Sequence, residues 1–211
     1  MDKKQFENPT LLLVEHGETE FTDSGENDRI HGTKYDLPLT VRGHQQANKA
    51  AEALAPFDIG SLKHSPMKRS TETAGYVGKA VGQEPEKDEG LMPLDSGYMS
   101  GMTHKAAHRR IEYYVKNPDK PIPGSDGSYG DWWDTASNRM AKRLKETAAL
   151  HNDTGQGAVD VLHSSEIASM PAIIRGDPPS MWASKQVPGP GKISAVEKHG
   201  GKWHFTPNWK G

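Results

Sequence analysis

The sequence contains no cysteine among its 211 residues. This absence excludes disulfide bonds, thiolate metal sites and cysteine nucleophiles. Hydrophobic residues are also scarce, at 33% of the chain, and the mean hydropathy is −0.80. The hydrophobic core must therefore be concentrated in a few strands and helix faces, with long polar connections between them. The 22 glycines and 15 prolines fit connections of this kind.

The chain also lacks a large net charge, because its 26 lysines and arginines nearly balance its 28 aspartates and glutamates. No window carries the clustered basic residues that a phosphate backbone requires, so we expect no nucleic acid polymer as partner. Residues 1–9 precede only a four-residue apolar run, which is too short for a signal segment or a membrane span. We expect a cytoplasmic protein without a membrane partner, folded as a single domain over residues 1–211 because no linker-like stretch divides it.

Two short apolar runs each lead into a histidine. LLLV at residues 11–14 is followed by Glu15 and His16, and AVDVL at residues 158–162 is followed by His163. Ligands of open α/β sheets bind in the crevice beyond the carboxyl ends of the strands. If the two strands are neighbours, the sequence predicts a pocket that contains both imidazoles.

Strand and helix patterns alternate along the first part of the chain. Thr40 is the expected N-cap of a helix whose alanines and leucine recur at helical spacing up to residue 54. Strands are predicted at 10–16, 59–65, 157–163, 192–196 and 202–205, and further helices at 68–81, 103–116, 131–151 and 166–174. The helix at 166–174 is predicted to start or break at Pro171. This alternation predicts an α/β fold with a sheet covered by helices.

Four motifs then follow one another along the chain. They are HGET at residues 16–19, PLT at 38–40 with Gly43, Gln46 and Ala47, SPMKRSTETA at 65–74, and His163 after a strand. In this order they resemble the histidine phosphatase superfamily, the phosphoglycerate-mutase-like proteins. Residues 91–97 with Gly101, followed by 113–118 and 122–124, resemble a branch of that family that is often met in bacteriophages (phages).

The resemblance implies a three-layer α/β/α sandwich with a mostly parallel central sheet. It also implies a phosphatase that acts on a small phosphorylated metabolite through a phosphohistidine intermediate. In that comparison His16 matches the nucleophile, Arg69 the phosphate-binding arginine and His163 the second histidine. Asp95 stands where better-known members carry a glutamate and is the predicted acid and base. Thr19 is assigned to substrate binding, with stabilisation of the turn as its alternative role.

The chain departs from the family pattern immediately before the nucleophile. The family has an arginine there, and this chain has Glu15. Two unit charges about 4 Å apart at an effective dielectric near 20 interact by roughly 4 kcal/mol, so the reversed sign opposes phosphate binding. A carboxylate beside His16 also favours the protonated imidazole, which cannot attack phosphorus. His64 and the segment 123–128 differ from the family as well, which suggests altered specificity or lost activity.

Three arrangements of Glu15 remain open from the sequence. Its side chain can point to the opposite face of the strand, which would leave Arg29, Lys34 or Arg42 to supply the missing charge. It can instead pair with Arg69 until a substrate displaces it. It can also contact a cationic part of an unusual substrate. Glu15 and Arg29 are therefore candidate substrate-binding residues.

Hydrolysis of a phosphomonoester is the favoured function, and no motif specific to a mutase is recognised. One alternative is a catalytically impaired pseudophosphatase that serves as a binding or structural module. Another is a metal-dependent hydrolase that uses Glu15, His16, His163 and Asp95 as ligands. For the phosphatase we expect no cofactor and no resident metal, and a homodimer is one expected assembly.

Overall fold

The structure, a computed structural model, describes residues 3–22, 28–117, 120, 122–124, 133–177 and 188–211, with the backbone alone at 115 and 133–137. Its strands are β1 (Thr10–Glu15), β2 (Ile59–His64), β3 (Glu86–Lys87), β4 (Gly157–Leu162), β5 (Ile193–His199) and β6 (Lys202–Thr206). Its helices are α1 (Val41–Leu54), α2 (Lys68–Val81), α3 (His104–Lys116), α4 (Trp133–Thr154) and α5 (Ser164–Arg175). Short 3₁₀ turns lie at Glu89–Leu91 and Gly97–Met99.

The predicted strands and helices are confirmed to within a few residues at each end. Thr40 caps α1, since its hydroxyl accepts a hydrogen bond from the Gly43 amide at 3.0 Å. Pro171 lies inside α5 and does not start it, because the helix begins seven residues earlier at Ser164. β3 is an addition that no pattern predicted. The predicted start of α4 at 131–132 and the segment 125–128 lie outside the described residues.

The strands form one mixed sheet in the order β3-β2-β4-β1-β5-β6. Strands β1 to β4 run parallel to their neighbours among themselves, and β5 and β6 pair antiparallel at one edge. The terminal hairpin predicted around Gly200 and Gly201 is this β5-β6 pair.

The core lies on both faces of the sheet. Leu12 and Val14 of β1 pack on one face with apolar residues of α1 and α2. Leu11 and Leu13 pack on the other face with apolar residues of α4 and α5. Side chains alternate between the faces of a strand, so a fully apolar strand is what a sheet covered on both sides requires. The predicted three-layer sandwich is confirmed.

The sheet brings the two strand-end histidines to one edge. β1 and β4 are parallel neighbours, with Glu15 opposite Leu162, and the His16 amide donates to the Leu162 carbonyl at 3.1 Å. β2 lies on the other side of β4, and the Ser65 amide after it donates to Val161 at 3.0 Å. Three strand ends therefore converge at one site. No helix in the described ranges is long and apolar enough to cross a membrane.

Candidate active site

A cavity of about 580 Å³ opens beyond the carboxyl ends of β1 and β4. Five residues predicted for the site line it, namely Glu15, His16, Arg29, Arg69 and His163. Much of the remaining lining is apolar and comes from α3 and from the loops that pack on it. Its side chains include Ile30, Met99, Ile111, Tyr114 and Ile122.

His16 is held in one tautomer. Its Nδ1 donates a hydrogen bond to the Gly17 carbonyl at 2.8 Å, so the lone pair is on Nε2, which accepts from Arg69 Nε at 3.2 Å. The ring is only 4% exposed. Burial and then the Arg69 guanidinium hold the pKa of His16 well below its ordinary value. At neutral pH the site therefore presents a neutral imidazole with a nucleophilic nitrogen.

Arg69 lies in the first turn of α2 and is 1% exposed. Besides His16, its guanidinium donates to the Tyr35 carbonyl at 3.0 Å and to the Gly32 carbonyl at 3.4 Å. Burial lowers its pKa to about 10, so the group stays charged at pH 7. Within the described part of the chain it makes no ion pair with Glu15. Arg69 is thus a fixed cation beside the His16 nitrogen, bound only to neutral acceptors.

His163 packs edge to face against His16 at the wall of the cavity, with ring centroids 5.2 Å apart. Its Nε2 lies 2.9 Å from the Ser65 hydroxyl, which the end of β2 supplies. Its Nδ1 is buried and has no hydrogen-bond partner among the described residues. Burial, followed by the charge of Arg69, holds the pKa of His163 well below its usual range. One ring nitrogen is therefore fixed by the protein and the other is available to a ligand.

Of the three arrangements considered for Glu15, the one that turns its side chain to the opposite face of β1 is wrong. Glu15 is the last residue of the strand, its side chain lines the cavity, and it is 4% exposed. Burial raises its pKa to about 8, with Asp28 adding to the rise and the Gly189 amide opposing it. At pH 7 Glu15 is mostly neutral, so the expected protonation of His16 by a neighbouring carboxylate is absent.

Three other cations were considered as substitutes for the missing arginine, and they differ in whether they line the cavity. Arg29 lines the cavity and donates from Nη1 to the Gly101 carbonyl at 2.9 Å. Arg42 pairs with Glu18 at 3.3 Å, and the Lys34 ammonium lies 5.8 Å from the centre of the Tyr35 ring. Of these three cations, only Arg29 lines the cavity.

The two remaining predicted residues lie beside the cavity. Leu94 and Ser96 line it, whereas the Asp95 carboxylate accepts a hydrogen bond from the Gly97 amide at 2.9 Å, as aspartates in turns do. The acid and base role of Asp95 stays a prediction. Thr19 is fully buried and its hydroxyl lies 2.6 Å from His31 Nε2. That hydrogen bond orients the His31 ring.

Metal ligation was the third functional alternative. In the ranges that the structure describes, no group of three or more histidine, aspartate or glutamate side chains is arranged to hold a metal ion. The set of Glu15, His16, His163 and Asp95 is therefore not grouped as a ligand set in those ranges.

The sequence as a whole was then compared with known protein families. A model of the histidine phosphatase superfamily (branch 1) matches residues 11–208. The chain belongs to the histidine phosphatase superfamily. Probable phosphoglycerate mutase GpmB of Salmonella choleraesuis (strain SC-B67) is 27% identical over 182 residues, which cover 84% of this chain and 79% of that protein.

Solved structures of histidine phosphatases share the fold. Mycobacterial glucosyl-3-phosphoglycerate phosphatase, solved with VO3, superimposes with a TM-score of 0.75 at 22% identity over 95% of this chain and 98% of that chain. Phosphoserine phosphatase from Entamoeba histolytica, in complex with 3-phosphoglyceric acid, has a TM-score of 0.75 at 25% identity over 95% and 96%. A mutant of that phosphatase matches in complex with phosphoserine.

Three residues of this candidate site were not predicted. His31 lies with its ring centroid 5.9 Å from that of His16, Asp28 lines the cavity, and Ser65 contacts His163. Ser65 belongs to the SPMKRSTETA motif and could have been assigned by its place after β2. His31 and Asp28 lie on a loop without periodicity, and the sequence there carries no comparable signal.

Proposed function

We propose that this chain is a phosphomonoesterase that acts on a small phosphorylated metabolite and forms a phosphohistidine at His16. One observation carries the proposal. The Nδ1 of His16 donates to the Gly17 carbonyl, so the lone pair is on Nε2, which accepts a hydrogen bond from the Arg69 guanidinium at the wall of the cavity. A neutral imidazole next to a fixed cation suits attack on a phosphoryl group.

In the first step the hydrogen bond of the Arg69 Nε–H passes from His16 Nε2 to a phosphoryl oxygen, which frees the lone pair of Nε2. His16 Nε2 then attacks phosphorus, so that a P–N bond forms as the P–O ester bond breaks. Arg69 neutralises the charge on the phosphoryl oxygens. When the Ser65 hydroxyl donates to His163 Nε2, the proton of that ring is on Nδ1, which then donates to a phosphoryl oxygen. A proton passes to the leaving oxygen, and Asp95 is the predicted donor.

In the second step a water molecule attacks phosphorus and the P–N bond breaks. The group that gave up its proton accepts one from the water, and inorganic phosphate and the neutral His16 are restored. Both histidines must be neutral at the start of each cycle. The lowered pKa values of His16 and His163 satisfy that condition at pH 7.

The substrate class is drawn from the cavity and from the relatives. A volume of about 580 Å³ suits a small metabolite and not a protein segment. Relatives in the family are named for phosphoglycerate and phosphoserine. We therefore place phosphorylated metabolites of a few carbon atoms first among the substrates to test.

The test compares wild type with His16→Ala and with His199→Ala, an exposed histidine in β5. Wild type and His199→Ala are expected to hydrolyse p-nitrophenyl phosphate at similar rates. His16→Ala should lose about 10³-fold or more in kcat/KM, as enzymes do when the nucleophile is removed. Rapid quenching should trap an acid-labile phosphoenzyme on wild type only. Full activity of His16→Ala, or no turnover by wild type on a broad phosphate panel, would overturn the proposal, and the second result would favour the pseudophosphatase.

A further inference from the structure

Glu15, at the wall of the cavity, has a hydrogen-bonding atom without a partner among the described residues. This atom, Oε2, is buried, although the side chain lines the cavity. A buried polar atom without a partner costs about 1–3 kcal/mol, so such atoms are retained where something binds them. Nothing in the proposed phosphoryl transfer uses this oxygen. It therefore points to a further contact with the ligand.

The surroundings of Glu15 are acidic. Asp28 lines the same cavity and lies near enough to raise the pKa of Glu15. Asp28 Oδ2 is 3.9 Å from His104 Nε2 at the exposed rim. In the part of the chain that the structure describes, neither nearby arginine forms an ion pair with Glu15 or Asp28, since Arg69 donates to His16 and to two carbonyls, and Arg29 donates to Gly101.

The cavity thus contains two groups of residues of opposite character. His16, His163 and Arg69 form the group suited to a phosphoryl group. Glu15 and Asp28 supply carboxyl groups, which repel a phosphate dianion when ionised and attract a cation. An ammonium group donates several hydrogen bonds and offsets the charge of a carboxylate, so it satisfies both the free oxygen and the buried charge.

Building on the proposed function, we propose that Glu15 and Asp28 bind an ammonium group of the substrate, so that the preferred substrates are phosphomonoesters of small amino alcohols. The exchange of the family's arginine for Glu15 then moves the preference from wholly anionic substrates toward zwitterionic ones. A phosphomonoester with a carboxylate in place of the ammonium is disfavoured by the same two residues.

The proposal has a characteristic pH dependence. The pKa of about 8 for Glu15 means that about one molecule in eleven carries the ionised form at pH 7, and about ten in eleven at pH 9. An ammonium ligand binds the ionised form, so its affinity should rise about tenfold between these pH values.

The other titratable groups that line the cavity do not produce this rise. His16, His31 and His163 have lowered pKa values and stay neutral, and burial raises the pKa of Tyr114 above its ordinary value. The pKa of Arg69 is about 10. Asp28, Arg29 and His104 complete the titratable lining. Asp28 is the second proposed ammonium ligand, whereas Arg29 and His104 also meet a ligand that lacks the ammonium, so a comparison with propyl phosphate removes their contribution.

The experiment uses three phosphomonoesters of similar size that carry different terminal groups, the carboxylate replacing a terminal CH2–NH3+ or CH2–CH3 unit. Phosphoethanolamine carries an ammonium, propyl phosphate a methyl group and phosphoglycolate a carboxylate. For wild type at pH 8, kcat/KM is expected to be about 10- to 100-fold higher for phosphoethanolamine than for propyl phosphate, as for one charged hydrogen bond of about 1.5–3 kcal/mol. Phosphoglycolate should be the poorest substrate.

The variants assign the effect to the proposed residues. Glu15→Gln should reduce the ratio of the two kcat/KM values to about one, and Asp28→Asn should reduce it in part. Glu52→Gln, on an exposed part of α1, is the matched control and should keep the wild-type ratio. Urea unfolding of each variant shows that it is folded. A wild-type ratio near one would overturn the proposal, and so would a preference for phosphoethanolamine that survives in Glu15→Gln. An equal loss of kcat/KM on all three substrates in Glu15→Gln would also overturn it, because that result would mark Glu15 as the acid for the leaving group.

A binding measurement separates this proposal from the proposed function. Calorimetric titration of His16→Ala with phosphoethanolamine and with propyl phosphate requires no turnover. Tighter binding of phosphoethanolamine, with an affinity that rises about tenfold from pH 7 to pH 9, supports the ammonium site even if wild type hydrolyses nothing. Equal affinities with equal pH dependence reject the site even if wild type hydrolyses both.

Discussion

The glycine after the candidate nucleophile is the position where the structure allows the sharpest prediction. Gly17 packs directly on the backbone of Gly43 at the start of α1. A methyl group built on Gly17 would lie 2.9 Å from the Gly43 carbonyl carbon and closer still to its oxygen. The Gly17 amide donates to the Thr73 hydroxyl at 3.0 Å. The turn is therefore held from two sides, and the atoms that a methyl group would meet belong to the backbone.

The cost of Gly17→Ala follows from these contacts. Non-bonded carbon atoms prefer separations of about 3.5–4.0 Å, so the turn or α1 must shift by about 1 Å. Overpacking of this kind costs about 1–3 kcal/mol of stability. A misplacement of about 1 Å at a reacting group costs about 10²-fold in rate. Because His16 is the adjacent residue, we expect Gly17→Ala to lose both stability and activity.

Gly75→Ala is the matched control. Gly75 lies in α2, and a methyl group there would meet no atom within 4 Å. Alanine is a better helix former than glycine, so this variant should gain about 0.5–1 kcal/mol. Urea unfolding and kcat/KM on p-nitrophenyl phosphate are measured for both variants. If Gly17→Ala matched Gly75→Ala in stability and in activity, the close packing of the turn would not constrain His16.

Two further predictions concern stability alone. The pKa of Glu15 is about 8 in the folded protein against 4.5 in the unfolded chain, so the folded state binds more protons between these values and wild-type stability falls as pH rises. The difference in unfolding free energy between Glu15→Gln and wild type should therefore change by about 3 kcal/mol in favour of the variant from pH 5 to pH 8. Urea unfolding measures this difference, and curves of stability against pH that run parallel for the two proteins would contradict the prediction. Arg143 and Asp160 form a buried pair, 2.6 Å between Nη2 and Oδ1. Arg143→Met should cost about 3–5 kcal/mol because it leaves a buried charge, whereas the double variant with Asp160→Leu should recover most of that loss in the same assay.

The fold could be predicted largely because its elements carry strong local patterns. β1 and β4 are short apolar runs, and α1 shows helical spacing together with a Thr40 cap. β3 was missed because two residues, Glu86 and Lys87, are too few to show any periodicity. Their pairing with β2 is set by tertiary contacts.

In the candidate site, too, some residues could be predicted from local sequence patterns and others could not. The structure brings His16, His163 and Arg69 together because each directly follows a strand or lies in the first turn of a helix, where the pattern fixes its position. His31 depends on a loop that folds back on the molecule through long-range backbone hydrogen bonds. One of them joins the Ile30 amide to the Met102 carbonyl at 2.9 Å. Pairings at that sequence separation leave no local pattern.

Glu15 shows a limit of the alternation rule. Alternation of side chains along a strand predicted that it could point away from the face that His16 occupies. Glu15 is the last residue of β1, and the chain leaves the strand geometry at His16. Both side chains therefore reach the cavity.

Two groups of cavity residues depend on different parts of the fold, which explains how one can change while the other is retained. His16, His163 and Arg69 are anchored on strand ends and a helix start. Glu15, the last residue of β1, instead has Asp28 and Gly189 as neighbours, and both of these lie on loops. Loops tolerate substitution more readily than the elements they connect. Loop residues around position 15 can therefore adapt to an exchange of arginine for glutamate, which alters which phosphomonoester is bound without displacing the groups proposed to transfer the phosphoryl group.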